Sequence, residues 1–338
     1  MYQLHVWGNN RKLSVISPEC LASSWLLTML STVKLIEFEI VTSSNTNISD
    51  IGKLPVLLVN KEKYNGFAEI TSWVVEEMGS SGSDEFTIIK NDTKRLIDKS
   101  LVSLIENHLE RIHLYNLYIC TENYENFTRK LFQNFFPFPM MYNQPLKFYH
   151  NAQLQVQLSG LSAGTSGFFS LSNADIIQSE YLDQEIYESD EDKTVALSAL
   201  HEKHILAKSR QKAKLRESRS HLKCLNLIER SIGLLLQLSK QENEESQHGY
   251  IFESGKLQPS EILLYAYLYC LTFENLPDRF ISKYIEIQFP EFSKFGTKII
   301  ARLNKLLYEK SILIRDPCEQ EIPNLWNEVQ YQCGYIKY

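Results

Sequence analysis

The stretch GKLPVLLVNKEKYNGFAEITSWV, residues 52–74, decides the fold. Pro55 has no N–H to donate to a strand ladder, so it belongs at the entrance of the apolar strand 56–59, where its peptide bond can be cis. A short polar turn follows, and apolar residues at helical spacing begin after Gly66. The stretch predicts a strand, a turn, a short strand and a helix, with Gly52 and Pro55 in structural roles.

The residues before this stretch supply the other half of the same unit. Alternating apolar and polar residues predict strands at 3–7 and 36–40. Between them, Ser17 followed by a proline is typical of a helix N-cap, and an apolar stripe continues the helix to Val33. A β-α-β segment followed by β-β-α is the order of a thioredoxin-like domain, which we assign to residues 1–78.

Length and composition set limits on the class of protein. The 338 residues suggest about two domains, and 43% hydrophobic and 12% aromatic residues predict a globular chain. A net charge of −6 argues against general nucleic-acid binding. The six cysteines show no metal-ligand spacing and are typical of separate thiols in a reducing compartment. The N-terminus lacks the pattern of a signal peptide, and the longest apolar run, 262–273, is too short to span a bilayer.

The rest of the chain is predicted to be helical. A Gly/Ser-rich linker at 79–90 separates the first domain from an all-helical domain, 91–338, that contains a flexible insertion at about 159–195. Apolar periodicity predicts helices near 97–116, 122–135, 143–158, 194–240, 260–273, 279–288 and 290–310. The expected fold class is therefore a thioredoxin-like α/β domain followed by an all-α domain, a glutathione-transferase-like architecture.

Glutathione chemistry is the first activity to weigh for such an architecture. It needs a hydroxyl or thiol near the start of the first helix, and Ser14 and Ser17 are the candidates, although Ser17 is better interpreted as the helix cap. It also needs an acidic or amide residue followed by Ser at the start of the third helix of the unit, where this chain has Gly66 and Phe67. Because a Phe side chain cannot bind a carboxylate, we expect no glutathione site.

No other catalytic, cofactor or metal site is predicted. His201 and His204 have ligand-like spacing, but two histidines on a surface helix are the simpler interpretation. Nucleotide-binding and nucleophile-elbow motifs are absent from the sequence.

Positive charge concentrates in residues 203–223, which hold eight Lys or Arg and a single Glu. The segment is either a solvated helix face or a surface for an acidic partner or an anionic membrane. The acidic stretch 180–192 could also fold back onto it. The candidate contact residues are Lys212, Lys214, Arg216 and Arg219.

The segment FPFPMMYNQPL, residues 136–146, combines aromatic and Met side chains with three prolines. Such a stiff apolar strip loses little entropy on docking. We weigh two interpretations equally: a partner or interdomain contact through Phe138, Met141 and Tyr142, or plain packing under the helical domain.

Three motifs carry a resemblance to a known family. The order WG…KLSVIS, then GKLPVLLVN, then KLFQNFFPFPMMYNQPL at 130–146, is similar to that of the metaxin family, and in particular its fungal members. The most specific motif is LFxxxxxFPMxYNxPL, which begins at Leu131. The resemblance covers residues 2–158 well and 258–310 in outline.

The resemblance implies a non-enzymatic role at the cytosolic face of the mitochondrial outer membrane, with peripheral attachment. It implies membership of the sorting and assembly machinery, the SAM complex, beside a second metaxin-like subunit and a barrel-shaped core subunit. It further implies assistance to β-barrel precursors and contact with a receptor of the TOM complex. The alternatives from other classes are an active glutathione transferase and a soluble transferase-like scaffold.

Overall fold

The computed structural model describes residues 2–34, 36–60, 62–78, 92–161, 199–242, 251, 256–309, 312–319 and 321–335. The predicted linker at 79–90, the acidic stretch and nearly all of the predicted insertion lie outside these residues. The domain division near residue 78 therefore stays a prediction.

Strands and helices follow the expected order. The strands are β1 (Tyr2–Asn9), β2 (Lys12–Leu13), β3 (Phe38–Ser43), β4 (Val56–Val59), β5 (Glu62–Asn65) and β6 (Leu313–Arg315). The helices are α1 (Pro18–Lys34), α2 (Gly66–Met78), α3 (Asp92–Leu114), α4 (Thr121–Asn123), α5 (Arg129–Phe135), α6 (Met140–Leu158), α7 (Ala199–Glu242), α8 (Pro259–Leu271), α9 (Phe280–Gln288), α10 (Pro290–Glu309) and α11 (Leu325–Gln332). A 3₁₀ turn, Thr46–Ile48, follows β3.

The sheet has the strand order β5-β4-β1-β3-β6, with β2 paired to the end of β1. β1 runs parallel to β3 and antiparallel to β4, so that Leu4 lies opposite Ile40 on one side and Leu57 on the other. All three side chains are fully buried. This is the sheet of a thioredoxin-like unit, and the prediction for the fold class is confirmed.

The corner before β4 has the predicted geometry. The Leu54–Pro55 peptide bond is cis, as the sequence analysis expects. The carbonyl of Pro55 accepts the N–H of Gly66, which holds the start of α2 against the start of β4. Gly52 and Gly66 both have positive φ, +67° and +74°, where glycine is favoured over residues with a side chain.

Helix α8 is the centre of the helical part. Almost all of its side chains are buried, and it packs against α1 and α3. Its start is fixed by a capping box between Gln258 and Glu261, and by Asp98 of α3, whose carboxylate accepts bonds from the backbone and hydroxyl of Ser260. The predicted buried helix is thus confirmed, and its capping contacts join it to α3.

Two segments differ from the helices predicted between residues 115 and 158. The single helix expected at 122–135 is divided into α4, a π-helical turn at Tyr124–Thr128 and α5, and another π-helical turn, Tyr115–Ile119, ends α3. Helix α6 begins at Met140, three residues before the expected start, directly after a second cis bond at Phe138–Pro139.

The sequence pattern indicates no strand in the tail, yet β6 extends the sheet. It runs parallel to β3, with Ile314 opposite Ile40. Arg315 at its end forms ion pairs with Glu39 of β3, at 3.1 Å, and with Glu321, at 2.8 Å. Strand pairing and ion pairs therefore hold residues 313–321 against the N-terminal sheet.

Candidate functional site

The cleft between the sheet and the helices is the place where a transferase of this architecture would bind glutathione. A cavity of about 440 Å³ lies at the start of α2 and is lined by α1, α2, α3 and the end of α6. A second cavity, of about 260 Å³, continues toward Trp7 and Ser17. The cavities share Glu19, Lys53 and Glu110, so they form one continuous cleft.

Both hydroxyl candidates are engaged in local backbone contacts. The Ser17 hydroxyl accepts the N–H of Cys20 at 3.4 Å, which is the contact of a helix cap. The Ser14 hydroxyl is buried and accepts the N–H of Ile16 at 3.2 Å. Ser17 also lines the second cavity, but its cap contact ties it to α1.

The start of α2 faces an acidic side chain of the chain itself. The side chain of Phe67 is fully buried, and the carboxyl group of Glu19, from the first turn of α1, lies near its backbone N–H, which lowers the pKa of that carboxyl against the larger effect of burial. A Cβ added at Gly66 would lie 3.9 Å from a Glu19 carboxylate oxygen. Glu19 thus lies at the N-terminus of α2, the position that would bind the γ-glutamyl carboxylate of glutathione.

The electrostatics of the cleft also oppose an anionic ligand. Burial, together with the neighbouring carboxylates of Glu110 and Glu106, raises the pKa of Glu19 to about 8. Burial and Glu110 raise the pKa of Glu106 as well. Among the described residues that line the larger cavity, only Lys53 and Arg111 are cationic. A carboxylate from outside would add negative charge to a cluster of acids that already disfavours it, as the raised pKa of Glu19 and of Glu106 indicates.

Segment 136–146 has one buried and one exposed side. Phe136, Met140 and Pro145 are buried, and Phe136 contacts Trp7 with ring centroids 6.1 Å apart. Phe138 and Tyr142 are 78% and 54% exposed and form an edge-to-face pair at 6.2 Å. Met141 is half-buried against the core, so the exposed apolar side consists of Phe138 and Tyr142.

The predicted basic residues lie on the first half of α7. The side chains of Lys212, Lys214, Arg216 and Arg219 are all exposed. Glu217, half-buried among them, accepts the N–H of Thr121 at 3.0 Å. The second half of α7 is packed, with Cys224 and Ile228 buried against the rest of the protein. The structure therefore brings these cations together as exposed side chains on one helical segment, at positions in the sequence after the cleft-lining residues.

Sequence reasoning missed a second exposed apolar face, on helix α11 near the end of the chain. Leu325, Trp326 and Val329 are 56%, 68% and 47% exposed. Residues i and i+4 share a helix face, so Leu325 and Val329 lie one turn apart beside Trp326. Among the described helices, none is both long and apolar enough to cross a membrane.

These features define a chain with a thioredoxin-like part and a helical part. Its cleft is lined by acidic side chains, and its surface carries an exposed basic segment and exposed aromatic side chains. Two family models match it: Tom37, described as outer mitochondrial membrane transport complex protein, over residues 20–149, and the Tom37 C-terminal domain over residues 178–336. The chain belongs to the Tom37 family, and the predicted metaxin-like family is confirmed.

Comparison with solved structures gives weak overall similarity. The beta-etherase LigF from Sphingobium sp. strain SYK-6 is 15% identical, with a TM-score of 0.48 over 92% of this chain and 99% of that chain. A Tau class glutathione S-transferase from mango, Mangifera indica, is 12% identical, with a TM-score of 0.41 over 99% of this chain and 97% of that chain. A search of curated protein sequences gave no match.

Proposed function

We propose that this chain is a non-enzymatic subunit of the sorting and assembly machinery in the mitochondrial outer membrane. In this role it assists the insertion, folding and release of β-barrel precursors and couples the SAM complex to the TOM complex. The observation that carries the proposal is membership of the Tom37 family over both parts of the chain. The acidic side chain of Glu19 at the N-terminus of α2, where glutathione needs a donor, supports a role in binding proteins rather than in glutathione chemistry.

The proposed partners are a second metaxin-like subunit, the barrel-shaped core subunit and a receptor of the TOM complex, with peripheral attachment at the cytosolic face. Exposed aromatic side chains, such as Phe138, Tyr142 and Trp326, are typical anchors of protein interfaces. The basic segment of α7 suits an acidic partner domain or anionic lipid headgroups.

Affinity purification tests the proposal. The tagged full-length chain is recovered from mitochondria opened with a mild detergent, and its partners are identified by mass spectrometry. We expect the barrel-shaped core subunit and a second metaxin-like subunit in near-equal amounts. Recovery of the chain without them would overturn the proposal.

Cell fractionation separates the proposal from a soluble scaffold. We expect the chain in the mitochondrial fraction, with release from membranes by alkaline extraction, because attachment is peripheral. A chain found wholly in the cytosol would support the scaffold instead.

Glutathione transferase activity is the competing enzymatic function. The purified chain is passed over immobilised glutathione and assayed for thiol conjugation. We expect neither retention nor turnover above background, because Glu19 occupies the N-terminus of α2. Turnover that Ser17→Ala abolishes would establish the enzyme and reject a purely structural role.

A further inference from the structure

Three potential metal ligands meet away from the cleft, at the packed middle of α7. Cys120 lies directly after the π-helical turn Tyr115–Ile119, His221 lies on α7, and Asp278 lies two residues before α9. One ligand atom from each residue lies within 4.8 Å of the other two. The Cys120 Sγ and an oxygen of Asp278 are 3.8 Å apart.

The carboxylate of Asp278 is held in position by contacts that leave one oxygen for a ligand. Its Oδ1 accepts the N–H of Phe280 at 3.1 Å. The backbone N–H of Asp278 donates to the side-chain oxygen of Asn123, and the backbone carbonyl of Asp278 accepts from the side-chain amide of Asn123. Oδ2 is the oxygen that faces Cys120. Such outer contacts orient metal ligands in known sites.

The imidazole of His221 is held between aromatic rings with one nitrogen unpaired. Its ring stacks on Phe280, with centroids 4.2 Å apart and planes 13° apart, and meets Tyr115 edge-on at 5.8 Å. Its Nε2 is buried and has no hydrogen-bond partner. Buried polar atoms are rarely left unpaired, so this nitrogen indicates a missing partner.

The spacing and the ligand types fit one class of metal. Zinc binds Cys sulfur at about 2.3 Å and His nitrogen or carboxylate oxygen at about 2.0–2.2 Å, so tetrahedral ligand atoms lie roughly 3.3–3.7 Å apart. The separation of 3.8 Å between Cys120 Sγ and Asp278 Oδ2 is close to that range, and no separation within the cluster exceeds it by more than about 1 Å. A set of one thiolate, one imidazole and one carboxylate favours Zn²⁺ over Mg²⁺ or Ca²⁺, which prefer oxygen ligands.

We propose that Cys120, His221 and Asp278 form a zinc site that fastens α7 to the turn after α3 and to the start of α9. The three side chains supply three ligands, and water takes the fourth position. Binding releases the thiol proton of Cys120 to solvent, because the thiolate is the ligand. The site joins segments far apart in the sequence, so its role is to hold the long helix against the helical core.

Cobalt titration of the full-length chain tests the site. The background carries Cys318→Ser and Cys333→Ser, which remove the exposed thiols, and His201→Gln and His204→Gln, which remove the histidine pair. We expect saturation at one equivalent of Co²⁺, with a sulfur-to-cobalt charge-transfer band and the strong visible bands of tetrahedral cobalt. Zinc should displace the cobalt. A background chain that binds neither metal in the micromolar range overturns the proposal.

Variants assign the ligands. Cys120→Ser should abolish the charge-transfer band, and His221→Gln and Asp278→Asn should each weaken binding about tenfold or more. Asp278→Asn keeps an oxygen that can accept the Phe280 N–H, so it separates loss of binding from loss of folding. Cys224→Ala, one turn from His221 on the same helix, is the matched control and should leave the band in place. A band that survives Cys120→Ser, or that Cys224→Ala removes, overturns the assignment.

Thermal melting gives a second readout. Zinc should raise the melting temperature of the wild-type chain and of Cys224→Ala, but not that of Cys120→Ser or Asp278→Asn, because a metal that binds only the folded state stabilises it. An equal zinc effect in all four chains would place the metal elsewhere.

Discussion

The carboxyl group of Glu19 makes the folding stability of the chain depend on pH. Its pKa is about 8 in the folded chain, because burial and the neighbouring acids disfavour the charged form. In the unfolded chain it ionises near pH 4.5. Between these values the unfolded chain carries the charge and the folded chain keeps the proton, so folding stability falls as pH rises, at most by about 1.4 kcal/mol per pH unit.

Glu19→Gln should remove this decrease of folding stability with rising pH. We expect the variant to match the wild type at about pH 5 and to be more stable at about pH 8, since the amide cannot ionise. Chemical denaturation across this range measures the difference. Glu122→Gln, at an exposed position, is the control and should follow the wild-type curve. A Glu19→Gln curve parallel to that of the wild type would contradict the prediction.

The sequence predicted only one of the two features at the start of α2: the missing donor hydroxyl, but not the position of Glu19 beside Phe67. Gly66 and Phe67 showed that a donor hydroxyl was missing, because a hydroxyl is a local feature of the start of a helix. That Glu19 takes the same place depends on how α1 packs against α2, which no local pattern reports. The contact of Asp98 with Ser260, which are 162 residues apart in the sequence, could not be predicted for the same reason.

At the scale of elements, the exposed side of segment 136–146 can be tested with a pair of substitutions. Phe138→Ser with Tyr142→Ser removes only exposed apolar surface, so the free energy of unfolding should change by less than about 0.5 kcal/mol. We expect recovery of the proposed partners to fall. Co-purification and thermal melting measure the two effects.

The matched control is Ile287→Ser with Tyr308→Ser, two exposed apolar side chains on other helices that are 74% and 54% exposed. It should leave partner recovery unchanged. If both pairs lower recovery equally, or if the first pair lowers the melting temperature, segment 136–146 serves packing alone.

The basic segment of α7 should act through charge. Reversing Lys212, Lys214, Arg216 and Arg219 to Glu should slow binding to isolated outer membranes or to an acidic receptor domain, and binding of the wild type should weaken with salt. Folding stability should change little, because exposed charges contribute little to it. Surface plasmon resonance at two salt concentrations measures the association and dissociation rates.

The control reverses four exposed cations on another helix. They are Lys294, Lys298, Arg302 and Lys305 of α10. Since this variant has the same net charge, an equal loss of binding would show that only total charge matters. Wild-type binding that is independent of salt would leave α7 as a solvated helix.

The basic helix and the cis-proline corner were predictable because each depends on residues close together in sequence. Strand β4 has the predicted bounds, since Pro55 marks its start and a polar turn its end. The π-helical turns near residues 115 and 124 were not predictable, because they change the hydrogen-bond register without changing the apolar pattern.

At the scale of the whole molecule, Arg315 joins the tail to the sheet. Its guanidinium bonds Glu39 through Nε and both oxygens of Glu321 through its terminal nitrogens. The three side chains are at most 21% exposed. Arg315→Ala would leave two largely buried carboxylates without their cation, and we expect the free energy of unfolding to fall by about 3 kcal/mol, near the lower end for a broken buried pair.

Lys305→Ala is the matched control for that loss. Its ion pair with Glu309 is exposed, at 70% and 65%, and should be worth about 0.3–0.5 kcal/mol. Urea denaturation of both variants gives the comparison. Equal losses would mean that the tail contributes nothing beyond a surface contact.

Strand β6 itself was missed because three residues are too few to show alternation. Its pairing with β3 depends on how the helices return the chain to the sheet, and this is a property of the complete fold. The sequence could therefore predict the thioredoxin-like order but not the strand that completes its outer side.

This late strand has a consequence for biosynthesis. Residues 39–41 are translated before their outer neighbours at 313–315, and the whole helical part separates the two segments in the sequence. Until residues 313–315 are made, β3 is an open edge, able to pair with any extended polypeptide nearby. A nascent chain that contains β3 but not yet β6, or a chain terminated between them, therefore carries an exposed strand edge that the complete fold covers.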